Sequence, residues 1–345
     1  VRTFTLSERL GAASNVLPTA LYDTFPAVLL GRVLTIASRL GLFESLNDHP
    51  QTARELASAL GLHPKSAELI LPALETANYL DRRGEQFHLR PQAKKWLVKS
   101  SPHYLGNFLA YIELLHDHWA HLENTIRTGK PPSTYPETFT DKEWQIYTLG
   151  MMDLAKLIIP RLMRELRIPA GATELLDLCG SHGLYAIELC KRHPHLKATI
   201  ADFSQVLATT RRIVEEHRME ERITLMPCDV TRTVFEPLRH DVVLAFNIVH
   251  GFNEEANRRF FHTIGATLKR GGIVYVMDQV LPETRSGVRT LLPLMVGINL
   301  LNEIGGTIYS FEQIRAWCQG AGLTGTAKRS LPLPGLSLVS ARRGN

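Results

Sequence analysis

The sequence predicts an α/β fold, a mostly parallel sheet with helices on both faces, preceded by an α-helical domain ending in a winged-helix pattern. Three observations carry that prediction. From Glu174 onward, short apolar runs alternate with helical patterns, as in a parallel sheet. The first hundred residues read as helices followed by a single strand–turn–strand. The 345 residues are 44% hydrophobic and 21% charged, enough apolar surface for a real core and too much for a disordered chain.

In chain order, Leu29 to Leu42 is apolar at helical spacing. The longest apolar stretch, Pro26 to Phe43, is broken by Arg32 and Arg39, so no run reaches the ~18 residues that span a bilayer. Val1 to Leu10 has no apolar signal core, which gives the expectation of a cytoplasmic protein with no membrane partner. Thr52 is placed to cap a helix ending at Gly61, with Glu55 completing a capping box. Pro64 opens the next helix, to about Asn78. Residues 79–81 and 86–89 then form a hairpin around Arg82-Arg83-Gly84-Glu85. This order suggests a winged helix. Its second helix has one Lys and one Glu over Pro64 to Leu71, too little to read a DNA groove. Packing or dimerisation is the expected role, with no nucleic-acid partner. The apolar set Leu29, Leu30, Val33, Leu34 and Leu40 points to a homodimer through this domain.

Residues 104–165 read as linking helices, with a loop at Gly129 to Ser133 and a helix beginning at Asp141. His116, Asp117, His118 and His121 have spacings that allow a metal pair, but no matching ligand cluster stands elsewhere, so no metal is expected. The third segment, residues 166–345, holds the sheet. Its strands are 174–179, 197–202, 223–226, 241–246 and 273–277, the last after a break at Gly271-Gly272. Two antiparallel edge strands follow within Gly325 to Arg343. The net charge of +5 is spread over short basic clusters, which reads as a solvated surface. Cys179, Cys190, Cys228 and Cys318 show no CxxC spacing and read as reduced thiols.

In open α/β sheets, ligands sit beyond the carboxyl ends of the strands. Asp177, Asp202 and Asp229 mark three such ends. Asp202 closes the second strand, where a carboxylate can take both hydroxyls of a ribose. The turn Cys179-Gly180-Ser181-His182-Gly183 lacks the GxGxxG of a dinucleotide site, and no phosphate-loop GKS or GKT is present. A nucleoside cofactor without phosphates fits these features.

The ordered set Asp177-Leu178-Cys179-Gly180-Ser181-His182-Gly183, Asp202-Phe203-Ser204, Cys228-Asp229 and Leu268 to Gly272 resembles the motifs of class I S-adenosylmethionine-dependent methyltransferases. With the helical front half and Asn247 to Glu255, the chain resembles the plant-type and bacterial small-molecule O-methyltransferases over nearly its whole length. The resemblance implies a Rossmann-like methyltransferase domain behind a winged-helix dimerisation domain, S-adenosylmethionine as cofactor, and a hydroxylated aromatic or polyketide as substrate. It implies that Asp202 binds the ribose hydroxyls. Asp229 would face the adenine amino group, with Phe203 and Val230 against the ring. Gly180 and Gly183 would let the backbone approach the methionine part, Asp177 would brace that turn, and Asn247 would lie at the methionine end. Cys179 and Ser181 stand where the family usually has glycine, and each adds a Cβ where positive φ is called for.

His250 follows the fourth strand and Asp278 ends the fifth, so adjacent parallel strands bring both to the cofactor's rim. Spacing alone leaves two readings open: a base backed by a carboxylate, or a turn histidine beside a strand-capping acid. The resemblance puts the family's base at His250 and its supporting acid at Asp278. Phe252 stands where the family often has Trp, Asp278 is shorter than the common Glu, and Ile308 stands where a second acid is expected after Gly305-Gly306. Phe108, Tyr111, Trp119, Met151, Met152, Phe252, Met295, Asn299 and Asn302 lie in segments that line the family's pocket. Met151, Phe252, Met295, Asn299 and Asn302 are the substrate-binding candidates. Two other readings compete: a cofactor-binding relative catalysing pericyclic, decarboxylation or hydroxylation chemistry, and a winged-helix regulator with a ligand-sensing second domain.

Overall fold

The structure is a computed structural model that describes residues 11, 14, 16–282 and 288–344, residues 288 and 289 by backbone alone. The expectation for residues 1–10 lies outside these. The chain forms two compact units, Val1–Leu114 and Leu115–Asn345.

In the first unit, α1 (Thr19–Arg39) and α2 (Leu42–Asp48) lead to the two-residue strand β1 (Gln51–Thr52). The capping box forms as expected: Glu55 N–H donates to Thr52, which opens α3 (Ala53–Leu60), and Gly61 ends it in the left-handed region. Pro64 stands in the first turn of α4 (Pro64–Thr76). The hairpin β2 (Leu80–Arg83) and β3 (Gln86–Leu89) completes a three-stranded sheet of order β1-β3-β2. Then come α5 (Pro91–Leu97) and α6 (Gly106–Trp119), whose last residues belong to the second unit. Phe43, Leu56, Leu71, Leu74 and Leu80 form the centre of this unit's core.

One expectation is corrected here. Helix α1 begins ten residues earlier than the periodicity indicated, and it is long and apolar enough to cross a membrane, with mean hydropathy 1.3. The cause is the wide separation of its charges, Asp23, Arg32 and Arg39, which leaves the rest of the helix apolar. Val33, Leu34 and Ala37 pack on the core, while Leu21, Phe25, Val28 and Leu29 form an exposed stripe at helical spacing.

The second unit begins with α7 (Leu122–Thr128), α8 (Tyr135–Thr138) and α9 (Asp141–Glu165). Thr140 and Glu143 form the capping box of α9. The sheet and its crossover helices follow as β4 (Glu174–Leu178), α10 (Leu184–Arg192), β5 (Lys197–Asp202), α11 (Ser204–Glu216), β6 (Ile223–Pro227), β7 (His240–Phe246), α12 (Glu254–Thr267) and β8 (Leu268–Gln279). Helices α13 (Val288–Ile304) and α14 (Phe311–Gly320) precede the edge pair β9 (Leu323–Ser330) and β10 (Leu336–Arg343). The strand order is β6-β5-β4-β7-β8-β10-β9, parallel from β6 to β8 and antiparallel thereafter. Alternate residues feed the two core layers: Leu175, Val242 and Tyr275 enter one, Leu176, Val243 and Val276 the other.

The Gly271-Gly272 pair does not break the chain before the fifth strand. It lies inside β8, where pairing jumps from His240↔Leu268 to Val242↔Ile273. The bulge holds the pair, with Gly271 at φ +73°, and lets one strand absorb the extra residues. Strand order reverses at β4, between β5 and β7. Register aligns Leu178 with Ala201 and Ala245, and Phe246 with Met277, so the turns after these strands share one rim.

Candidate active site and cofactor turn

Strand β4 leaves the sheet through Cys179 (φ +53°), Gly180, Ser181 (φ +44°), His182 and Gly183 (φ +71°). Two of the three left-handed positions carry side chains, a conformation that costs about 1–2 kcal/mol per residue. The positions without a Cβ are the crowded ones. A Cβ on Gly180 would stand 2.7 Å from the Asp177 carboxylate, and one on Gly183 2.8 Å from Ile200. Asp202 secures the turn from the next strand: one oxygen accepts Ser181 N–H at 2.9 Å, the other Phe203 N–H at 2.7 Å. His182 is buried, and burial together with Lys156 lowers its pKa to about 3, so it is a neutral ring accepting Leu184 N–H.

Asp177 is fully buried against this turn but does not brace it by hydrogen bonding. Among the described residues neither of its oxygens has a partner, nor does Ser181 Oγ. Burial and the neighbouring Asp202 push the Asp177 carboxyl up to about 8. Burial likewise raises Asp202, to about 6, against the two N–H groups that stabilise its charge. Three orphaned polar atoms at one turn are what a polar ligand would complete.

Around this turn the other cofactor candidates differ in availability. Phe203 is exposed, with its ring 6.3 Å from Trp144. Asp229 accepts the N–H and hydroxyl of Thr231 and pairs with the exposed Arg232 at 3.4 Å. Val230 belongs to the core cluster with Phe235 and Phe260. Asn247 follows β7 at φ +52°, tolerated by its short amide side chain, and is exposed. The sequence reading missed an aromatic cluster at this rim: Tyr135, Phe139, Trp144 and Tyr147 with ring centroids 5.2–5.6 Å apart. Its signal is the spacing of four and three residues on either side of the Thr140 cap. Burial raises the Tyr147 hydroxyl strongly, reinforced by Asp202, Glu303 and Cys179.

His250 sits in a one-turn 3-10 helix, Val249–Gly251. Its Nδ1 is 2.6 Å from Asp278 Oδ1, and its N–H reaches the other oxygen at 3.3 Å. Gln279 N–H also donates to Asp278, which is 1% exposed. The turn is pinned from three sides. Asn257 donates to the carbonyls of Val249 and Phe252, Tyr309 donates to that of Phe252, and Thr307 N–H to that of His250. Burial of His250 lowers its pKa, but Asp278, through charge and hydrogen bond, and Glu303 outweigh it and the net shift is upward. With Nδ1 engaged, Nε2 is the nitrogen left to take a proton.

The substrate candidates divide. Met151 is half-buried on α9, and Met295 is exposed on α13. Asn299 accepts from Trp119 Nε1 at 2.6 Å and donates to Glu303 at 2.7 Å. Phe252 is partly buried, and its ring packs edge-on against Phe260 at 5.3 Å at the border of the core. One candidate is corrected. Asn302 is 2% exposed and spends its amide on Thr125 and the His118 carbonyl, tying α13 to the helices before it. The histidine cluster is likewise in aromatic contacts, His116 with Trp119 and His118 with Phe139. Among the described residues no group of three or more His, Cys, Asp or Glu is placed to hold a metal.

Comparison with known proteins gives a family match. Residues 119–324 match an O-methyltransferase domain and residues 22–99 an O-methyltransferase dimerisation domain. The 3-hydroxy-5-methyl-1-naphthoate 3-O-methyltransferase of Streptomyces sahachiroi is 26% identical over 94% of each chain. The tetracenomycin polyketide synthesis 8-O-methyl transferase of Streptomyces glaucescens is 28% identical over 85% of this chain and 87% of its own. Human N-acetylserotonin methyltransferase, solved in complex with S-adenosylmethionine, has the same fold: TM-score 0.84, 20% identity, 99% of each chain covered.

Proposed function

The chain belongs to the S-adenosylmethionine-dependent O-methyltransferase family, and on that premise we propose that it methylates a hydroxyl of an aromatic or polyketide-type small molecule, with His250 as general base and no metal. The observation that carries the base is the 2.6 Å contact between His250 Nδ1 and Asp278. Enzymes of secondary metabolism with naphthoate and polyketide in their names are among its relatives, which supports the substrate class.

The residues at the turn fit the cofactor. Asp202 and Asp229 are proposed for the ribose and the adenine, with Phe203 beside the ring. Gly180 and Gly183 are proposed to let the backbone approach the methionine part, and the orphaned Asp177 and Ser181 oxygens offer acceptors to a cationic amine. When bound, S-adenosylmethionine supplies an electrophilic methyl group with a sulfonium leaving group. The protein's part is orientation and proton removal. His250 Nε2 takes the hydroxyl proton, and Asp278 holds the tautomer and steadies the imidazolium. A phenol of pKa ~10 is mostly protonated at neutral pH, so such a base is needed. Residues 104–165 are read as the stretch that closes the substrate pocket, with Met151, Phe252 and Met295 toward it. The first unit is read as a winged helix that dimerises through the exposed stripe of α1.

The test uses S-adenosylmethionine labelled in its methyl group, with hydroxylated naphthoates and polyketides, with and without a chelator. A labelled methoxy product, unaffected by chelation, supports the proposal. Label on nitrogen or carbon, a chelator-sensitive rate, or turnover without methyl transfer overturns it.

A further inference from the structure

Glu303 is the penultimate residue of α13, two residues before Gly305-Gly306, in a position the family pattern does not assign to an acid. It is 2% exposed. A carboxylate so buried needs donors. Asn299, one turn earlier, donates Nδ2–H to its Oε1 at 2.7 Å. The orientation of that amide is fixed by Trp119, whose indole is a donor only and lies 2.6 Å from Asn299 Oδ1. The amide nitrogen therefore faces Glu303, and Glu303 accepts.

The turn that follows Glu303 is docked on the turn that carries His250. Thr307 N–H donates to the His250 carbonyl at 2.9 Å. A Cβ on Gly306 would stand 2.4 Å from that same carbonyl, and one on Gly251 3.3 Å from Ile304. Ile308, at the place where the resemblance implies an acid, is buried and packs toward Gly297. We propose that Glu303, held by Asn299, is a second acidic positioning residue for His250, taking from the end of α13 the place that Ile308 leaves empty. The inference rests on the reading of His250 as the base. The charged groups that bear on the ring are Asp278 from β8 and Glu303 from α13, and both raise its basicity against burial. Tyr147 of α9 also feels the charge of Glu303, which helps raise its hydroxyl.

The experiment follows the His250 ring by proton NMR across a pH titration, alongside kcat, in the full-length wild type, Glu303→Gln, Glu303→Asp and His250→Ala. Glu303→Gln is expected to move the His250 midpoint to lower pH and to reduce kcat at neutral pH by about tenfold, equivalent to about 1.4 kcal/mol. Glu303→Asp keeps the charge and is expected to fall between, and it decides the matter if Glu303→Gln does not fold. A loss of kcat with an unmoved midpoint makes Glu303 merely structural and overturns the inference, as does no change in either. His250→Ala separates the two readings. If its rate still rises with pH as in the wild type, the base assignment fails, whatever Glu303 does to the ring.

Discussion

His250 and Asp278 are 28 residues apart in the chain and 2.6 Å apart in space. One crossover, β7 to α12 to β8, brings them together, and the 3-10 turn of His250 aims the ring at the acid ending the neighbouring strand. The acid is buried, the ring is 14% exposed, and one imidazole nitrogen remains for a substrate.

That pairing sets a pH dependence. The rate is expected to rise with pH through the His250 midpoint, which lies above the ordinary 6.5 because Asp278 and Glu303 outweigh burial. Asp278→Asn removes the larger opposing charge, so burial prevails and the midpoint moves down. A pH–kcat profile of this variant with a midpoint at or above the wild-type value would contradict the pairing.

In the cofactor turn, Asp202→Ala removes the group proposed to take the ribose and also frees Ser181 N–H. Calorimetric titration is expected to find S-adenosylmethionine binding weakened by about 2–4 kcal/mol, one to two charge-assisted hydrogen bonds. An unchanged affinity would mean that Asp202 serves only the turn.

Ser181→Gly puts glycine at a φ of +44° and removes an unpartnered hydroxyl. It is expected to stabilise the protein by about 0.5–1 kcal/mol, the relief of a left-handed side chain less the entropy of glycine. A lowered Tm would show that the hydroxyl has a partner in the folded enzyme.

Asp177 gives the cofactor-free protein a stability that falls with pH. Its folded pKa, about 8, lies above the ordinary 3.8. Its contribution is therefore complete below the unfolded value and is lost as pH rises toward 8. Tm is expected to drop from about pH 5 to about pH 8, and Asp177→Asn to flatten that drop. Equal slopes in the two proteins would remove Asp177 as the cause.

For the exposed stripe of α1, light scattering is expected to return twice 38.7 kDa. Phe25→Glu is expected to return the single-chain mass. A wild-type monomer at micromolar concentration would overturn the dimer.

Much of this was legible in the sequence. The central parallel strands announce themselves because they are buried on both faces and carry apolar runs, as at Val242 to Phe246. Caps such as Thr52 and Gly61 are local chemistry and fell where expected. The positive φ at Cys179 and Ser181 was visible from their glycine-like positions. What escaped is tertiary. Asn302 was a candidate because its segment approaches the site, but side-chain direction sends its amide to Thr125. Glu303 carries no signal of its own, since it matters only through what folding sets beside it. The bulge at Gly271 shows the same limit: a glycine pair reads as a break until a neighbouring strand pairs across it.

The most direct measurement is the single-turnover methyl-transfer rate of His250→Ala against pH, with S-adenosylmethionine affinity measured on the same protein. The expected result is affinity nearly unchanged, a rate lower by about 10²–10⁴-fold, the usual share of a general base, and no rise with pH through the wild-type midpoint. Methyl transfer at near wild-type rate and pH dependence would contradict the assignment of His250 as the base.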